Sequence, residues 1–138
     1  MIDNKTLIAY AQKAMSNAYA PYSKFKVGAT VLTKSGKYYT GANTENSSFG
    51  ATVCAERNAI NNALSCGERD FVKIAIVSSS GDYTYPCGIC RQTLIEFNPK
   101  MEVIVAKNQD DYKVYSLDEL LPYYFSNKDI KWEQLLKK

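Results

Sequence analysis

The chain predicts an α/β fold, one sheet covered on both faces by helices. Three observations carry this expectation. Segments patterned as strands alternate with helical segments of about 10 residues, the pattern of a sheet with helices packed on it. At 138 residues and 46% hydrophobic composition, the chain can build a core without disulfide staples, since domains near this size bury roughly 68–70% of their unfolded surface. No repeat, low-complexity tract or linker interrupts it, so residues 1–138 read as a single domain.

The elements follow in order. Leu7, Ile8, Ala11, Met15 and Ala18 recur at helical spacing and predict an amphipathic helix over 4–18, with Asp3 as N-cap and a stop before Pro21. Residues 25–33 read as a strand, Lys34 to Lys37 as a turn, and 37–42 as the returning strand of a hairpin. A helix over 54–65 is closed by Gly67. A strand over 72–78 precedes a helix over 88–97, which stops before Pro99. Residues 102–106 form a further strand and 112–116 an edge strand, with short helical pieces at Leu117–Leu121 and Ile130–Leu136.

Composition excludes several function classes. Net charge is only +3 and the lysines are scattered, whereas a nucleic-acid binder carries a basic stripe. The Lys137-Lys138 doublet reads as a solvated tail. Met1 to Leu7 holds no basic stretch followed by an apolar one, and no apolar run approaches the ~20 residues of a membrane span. The expectation is a cytoplasmic protein with no membrane or nucleic-acid partner, whose four cysteines stay reduced as metal ligands or free thiols. The chain has no histidine. Serine or cysteine nucleophiles paired with histidine are therefore excluded. Any zinc must be held mainly by thiolates, and any proton shuttle must be a carboxylate, Lys, Tyr or water.

Pro86-Cys87-Gly88-Ile89-Cys90 opens a predicted helix. Its two cysteines, three apart, share a helical face. Thiolates there are favoured by the unpaired N–H groups and the dipole. Alone, this spacing is ambiguous: it occurs in zinc ribbons and in thioredoxin-like redox motifs as well as in catalytic metal sites. Cys54-Ala55-Glu56-Arg57 opens another helix and offers a third thiolate. Three protein ligands leave the fourth tetrahedral position of a zinc ion for water, as in catalytic rather than closed structural sites. Cys66 lies about 18 Å further along the same helix at 1.5 Å per residue and reads as a free thiol. Glu56, two residues from a ligand, can approach the reacting position; by itself it would be an ordinary first-turn glutamate. Three thiolates around a divalent ion leave a singly negative centre, which weakens its Lewis acidity. Arg57 can withdraw charge by donating to sulfur, and Arg91 either does likewise or faces solvent.

Together, Cys-Ala-Glu and Pro-Cys-x-x-Cys resemble the signature of the zinc nucleoside deaminases. Tyr19-Ala20-Pro21-Tyr22-Ser23-Lys24-Phe25, Val27-Gly28-Ala29, Asn43-Thr44-Glu45-Asn46, Cys54 to Arg57, Pro86 to Gln92 and Leu120-Leu121-Pro122 extend the resemblance to small cytidine deaminases over most of the chain. The resemblance implies a three-layer α/β/α sandwich with a mixed five-stranded sheet, one Zn2+ per chain on Cys54, Cys87 and Cys90, and a homotetramer. It implies hydrolytic deamination of cytidine or deoxycytidine in pyrimidine salvage. Zinc hydroxide attacks C4 while Glu56 protonates N3 and then the departing amine. Asn43 and Glu45 would bind the ribose hydroxyls and Ala55 would offer its backbone to the pyrimidine. Phe25 would pack on the nucleoside, where residue pattern alone leaves core packing equally open. Two positions depart from the family: Phe49 stands where Tyr is frequent, and Tyr123-Tyr124-Phe125 is bulkier than usual. Phe49 and Phe125 are expected to reach a neighbouring subunit's site, although an aromatic cluster also suits packing on its own domain.

Three other readings are weaker. A zinc-stabilised binding protein has no need of Glu56. A deaminase of nucleoside antibiotics has no need of the Asn43 and Glu45 pair. A nucleic-acid editor would want more basic charge.

Overall fold

In the computed structural model, which describes residues 1–136, five strands form one mixed sheet. They are β1 (Val27–Thr33), β2 (Tyr38–Ala42), β3 (Phe71–Ser78), β4 (Glu102–Asn108) and β5 (Asp111–Ser116), arranged in the order β2-β1-β3-β4-β5. β1 is antiparallel to β2 and to β3, β3 is parallel to β4, and β4 is antiparallel to β5. The helices are α1 (Asn4–Met15), α2 (Ala55–Ser65), α3 (Gly88–Ile95), α4 (Leu117–Leu120) and α5 (Trp132–Leu136). The parallel pair needs a crossover, and α3 supplies it. Among the described residues no helix is long and apolar enough to cross a membrane. Lys137 and Lys138 lie outside the described residues.

Alternation along the strands builds two cores. Val27, Ala29 and Val31 of β1, with Ile74 and Ile76 of β3 and Val103 and Val105 of β4, face Ala55, Ala59, Ile60 and Ala63 of α2 and Leu94 and Ile95 of α3. On the other face Leu32, Ala75, Val77, Ile104 and Ala106 meet Leu7, Ile8 and Ala11 of α1. This is the three-layer arrangement expected. β1, an interior strand covered on both sides, is buried over its whole length.

Two glycines set how closely the helices approach. A Cβ at Gly28 would lie 2.0 Å from the Ala11 carbonyl oxygen of α1. One at Gly41 would lie 2.4 Å from the Ala59 nitrogen and 2.6 Å from the Ala55 oxygen of α2. No other residue fits either place without moving a helix.

Element ends differ from the sequence pattern where tertiary bonds take over. Asp3 caps α1 by accepting from the Thr6 amide at 2.9 Å, but the helix ends three residues before Ala18. There Tyr19 leaves to pair with the 43–45 segment: its amide donates to Asn43 and its carbonyl accepts from Glu45. The first strand begins at Val27 rather than residue 25, because Lys26 is engaged with Ser79. α3 ends at Ile95, two residues early, and Asn98 turns back to donate to the Phe71 carbonyl. Gly67 closes α2 at φ +92°, as a C′ glycine should. β5 is an edge strand, as expected. Short 3₁₀ turns at Phe49–Ala51 and Asn127–Asp129 carry no periodic signal and were not anticipated.

The register explains where a site forms. Ala42 at the end of β2 and Ser78 at the end of β3 both pair with the start of β1, at Gly28 and Val27. The chain therefore leaves both strands at the same end of the sheet, and α2 and α3 begin there. Open α/β sheets bind ligands outside the carboxyl ends of their strands.

Candidate metal centre and nucleoside pocket

Cys54 is the N-cap of α2 and Cys87 the N-cap of α3, both with extended backbone and neither spending its side chain on the cap. Cys90 follows in the first turn of α3 and is buried. The Sγ atoms of Cys54 and Cys87 are 3.8 Å apart, those of Cys87 and Cys90 3.6 Å, and all three lie within 4.8 Å of one another. Zinc–sulfur bonds of about 2.3 Å in a tetrahedron require sulfurs about 3.8 Å apart. The donor set and its spacing fit a zinc ion. Cys66, exposed at the other end of α2, stands outside the cluster.

The surroundings of Cys54 favour its thiolate. The hydrogen bond from Cys90, with those from Arg57 and Cys87, pulls the Cys54 thiol down to about 5 against the effect of burial. The same Cys54–Cys90 bond, with burial, pushes Cys90 up. Arg57 donates to the Cys54 sulfur at 3.8 Å and to the Thr52 carbonyl at 3.3 Å. Arg91 takes neither role considered for it. Its guanidinium donates to the backbone carbonyls of Pro86 at 2.7 Å and Leu120 at 2.6 Å, tying the ligand loop to α4.

Glu56 is 4% exposed. Burial, reinforced by the nearby Cys54 charge, raises its carboxyl to about 7, while a hydrogen bond with Cys90 works the other way. A carboxyl near 7 can both give and take a proton at neutral pH. It lines a cavity of about 190 Å³ together with Cys54 and Cys87.

Phe25, Asn43 and Ala55 line the same cavity. Phe25 is 40% exposed and so is not a core residue. The Asn43 amide is already engaged: Oδ1 accepts from the Val27 amide at 2.9 Å, and Nδ2 donates to the Phe25 carbonyl at 2.8 Å. Each atom keeps one further bonding capacity. Glu45 lies in an adjoining cavity of about 460 Å³, lined also by Tyr22, Ser23 and Phe49, with Thr52 common to both. One Glu45 oxygen accepts from the Tyr22 amide at 3.0 Å and the Ser23 amide at 3.1 Å, and the other accepts from the Ser23 hydroxyl. The Ser23 hydroxyl and amide bonds hold its carboxyl below the usual range.

Of the residues expected at an interface, Phe49 is 75% and Phe125 58% exposed. Tyr124 instead packs against its own core. Sequence reasoning missed Thr52, Thr84 and Tyr85 on the cavity wall. Thr84 and Tyr85 directly precede Pro86-Cys87, and that adjacency was the available signal.

Comparison with known proteins agrees with this geometry. The profile of the family described as "Cytidine and deoxycytidylate deaminase zinc-binding region" matches residues 1–107. The cytidine deaminase of Sporosarcina psychrophila is 42% identical over 132 residues, 95% of this chain and 97% of that one. That of Halalkalibacterium halodurans is 43% identical over 130 residues, 94% and 98% of the two chains. The crystal structure of cytidine deaminase from Burkholderia pseudomallei superposes with a TM-score of 0.85 at 44% identity, covering 90% of this chain and all of that one. The Mycobacterium tuberculosis enzyme gives 0.81 at 35% identity, covering 91% and 98%. Three sulfurs at zinc spacing, a buried glutamate beside them and a match across the residues that carry both make the chain a member of the cytidine and deoxycytidylate deaminase zinc-binding family.

Proposed function

We propose that the protein, as a single catalytic domain, hydrolyses cytidine or deoxycytidine to uridine or deoxyuridine and ammonia. One zinc ion per chain is held by Cys54, Cys87 and Cys90. The observation that carries this reading is the buried Glu56 carboxyl on the wall of a cavity shared with two of three sulfurs set at zinc spacing. Bound there, zinc supplies the Lewis acidity that makes water a nucleophile at neutral pH. Glu56 takes a proton from the attacking water and delivers it to N3 of the pyrimidine, then takes the remaining proton from the hydroxyl now on C4 and passes it to the departing amine. Water adds at C4, the C4–N bond breaks, and ammonia leaves.

The remaining residues orient the substrate. Phe25 packs on the nucleoside and the Ala55 backbone meets the pyrimidine. Asn43 serves twice, since its amide holds the backbone of Phe25 and keeps capacity for a ribose hydroxyl. Glu45 accepts three hydrogen bonds within the chain, and a carboxylate offers about four acceptor sites, which leaves one for the sugar. Arg57 draws charge from the Cys54 thiolate, so the three-sulfur site is less anionic than its ligand count implies.

A free nucleoside is the substrate rather than a nucleic acid, because +3 net charge without a basic stripe gives phosphates little to bind. The protein works in pyrimidine salvage in the cytoplasm, where thiols remain reduced. It assembles as a homotetramer in which exposed Phe49 and Phe125 reach neighbouring sites, as exposed aromatics do at interfaces. The test is direct: purified protein is incubated with cytidine while uridine and ammonia are followed. Equal release of both supports the reading, and unchanged cytidine in zinc-loaded protein refutes it.

A further inference from the structure

Tyr85 stands two residues before Cys87 in the loop joining β3 to α3, and its side chain forms part of the cavity wall. Its hydroxyl lies 2.8 Å from that of Tyr115, and the two rings are 5.6 Å apart at a 60° tilt. Tyr115 belongs to β5, pairs with Val103 of β4, and packs against the main core. The same loop is tied to that hairpin a second time. The Tyr83 hydroxyl donates to the Asp111 carboxylate, and the ring of Tyr83 lies beneath the ammonium groups of Lys107 and Lys113, at 4.9 and 4.6 Å. A wall of the pocket thus rests on the edge strand of the sheet, remote in sequence from every metal ligand.

This placement has a chemical consequence that builds on the function proposed above. In a cytidine the amine at C4 lies across the ring from N1, which carries the sugar. The end of the base that meets the sulfurs and Glu56 is therefore C4 with its amine, between N3 and C5. Tyr85, two residues from a sulfur ligand, shares the cavity wall with Glu56 and Cys87. We propose that Tyr85, held in place by Tyr115, determines specificity by limiting bulk at C5 and at the amine of the pyrimidine. Its ring is a positioned wall whose location depends on the hydroxyl pair. A pocket contact of this kind discriminates by about tenfold to 200-fold per small group.

The experiment compares kcat/KM for cytidine, N4-methylcytidine and 5-propynylcytidine in the parent and in Tyr85→Ala, Tyr85→Phe and Tyr115→Phe, with zinc content measured throughout. Tyr85→Ala is expected to raise the ratio of each bulky substrate to cytidine by about tenfold or more. Tyr115→Phe and Tyr85→Phe keep both rings but lose the hydroxyl pair, and should move the same ratios in the same direction by less. If Tyr85→Ala loses zinc, these two variants decide the question on the same ratios. Ratios that stay at the parent value, with all three substrates slowed in proportion, would overturn the proposal and leave Tyr85 a structural residue. A parent protein that does not turn over cytidine at all would instead refute the function on which the proposal rests.

Discussion

At the scale of single residues, the site depends on where each side chain is pinned. Glu56→Gln keeps the shape and removes the proton carrier. General acid–base groups contribute about 10²–10⁴-fold, and one group serving several transfers belongs at the upper end. The variant should retain its zinc and lose turnover by about 10⁴-fold or more; metal analysis beside a cytidine assay checks both. Glu45 makes a different prediction. Its carboxyl pKa lies below the ordinary value in the folded chain. Its contribution to the Tyr22–Ser23 turn is therefore full above the unfolded pKa and disappears only as pH falls through the lower folded value. Glu45→Ala should reduce kcat/KM for cytidine about tenfold or more by removing a charged hydrogen-bond partner of the sugar, while zinc content is unchanged and free cytosine remains a poor substrate. Equal turnover of cytosine and cytidine by the parent would remove the ribose role. The metal ligands were legible because thiols at fixed spacing sat at predicted helix starts. The second role of Asn43, the clamp made by Arg91 and the Tyr85–Tyr115 pair were not, because each bond partner is set by tertiary placement.

At the scale of elements, the helix starts are functional and the helix packing holds them in place. The α2 helix lies so close to β2 that a Cβ at Gly41 would meet the Ala55 oxygen at 2.6 Å. Gly41→Ala must push the start of α2 outward, and with it Cys54 and Glu56. Overpacking of this kind costs about 1–3 kcal/mol or more. The expected result is a lower melting temperature together with weaker zinc retention against a chelator; a drop in melting temperature with parental zinc affinity would separate packing from the metal site. Strand and helix centres followed from period and length, but their ends did not. The helix α1 stops early because Tyr19 finds backbone partners at Asn43 and Glu45, and no local pattern announces a partner 24 residues away.

At the scale of the whole molecule, alternating elements implied a sheet covered on both faces but not the order β2-β1-β3-β4-β5. That order rests on strand pairings distant in sequence, and the five-stranded sandwich was anticipated only through the family resemblance. β2 and β3, both antiparallel to the β1 strand between them, bring the two cysteine-bearing helix starts to one end of the sheet. Metal and fold are therefore linked: zinc that binds the folded chain stabilises it, and its removal should lower the melting temperature. Assembly makes a further prediction. If Phe125 completes a neighbour's pocket, Phe125→Ala and Glu56→Gln chains, each poorly active alone, should regain turnover when mixed into one tetramer. No recovery after verified subunit exchange would assign each chain its own complete site.

In the proposed site three thiolates hold one zinc ion and the Glu56 carboxyl moves the protons of hydrolytic deamination. Titrating metal-free protein with zinc while measuring ammonia release from cytidine tests it most directly. Activity should begin near zero, rise linearly, and break sharply at one zinc per chain, with uridine formed in equal amount. Full turnover before any zinc is added, or none after the sites are filled, would contradict the account.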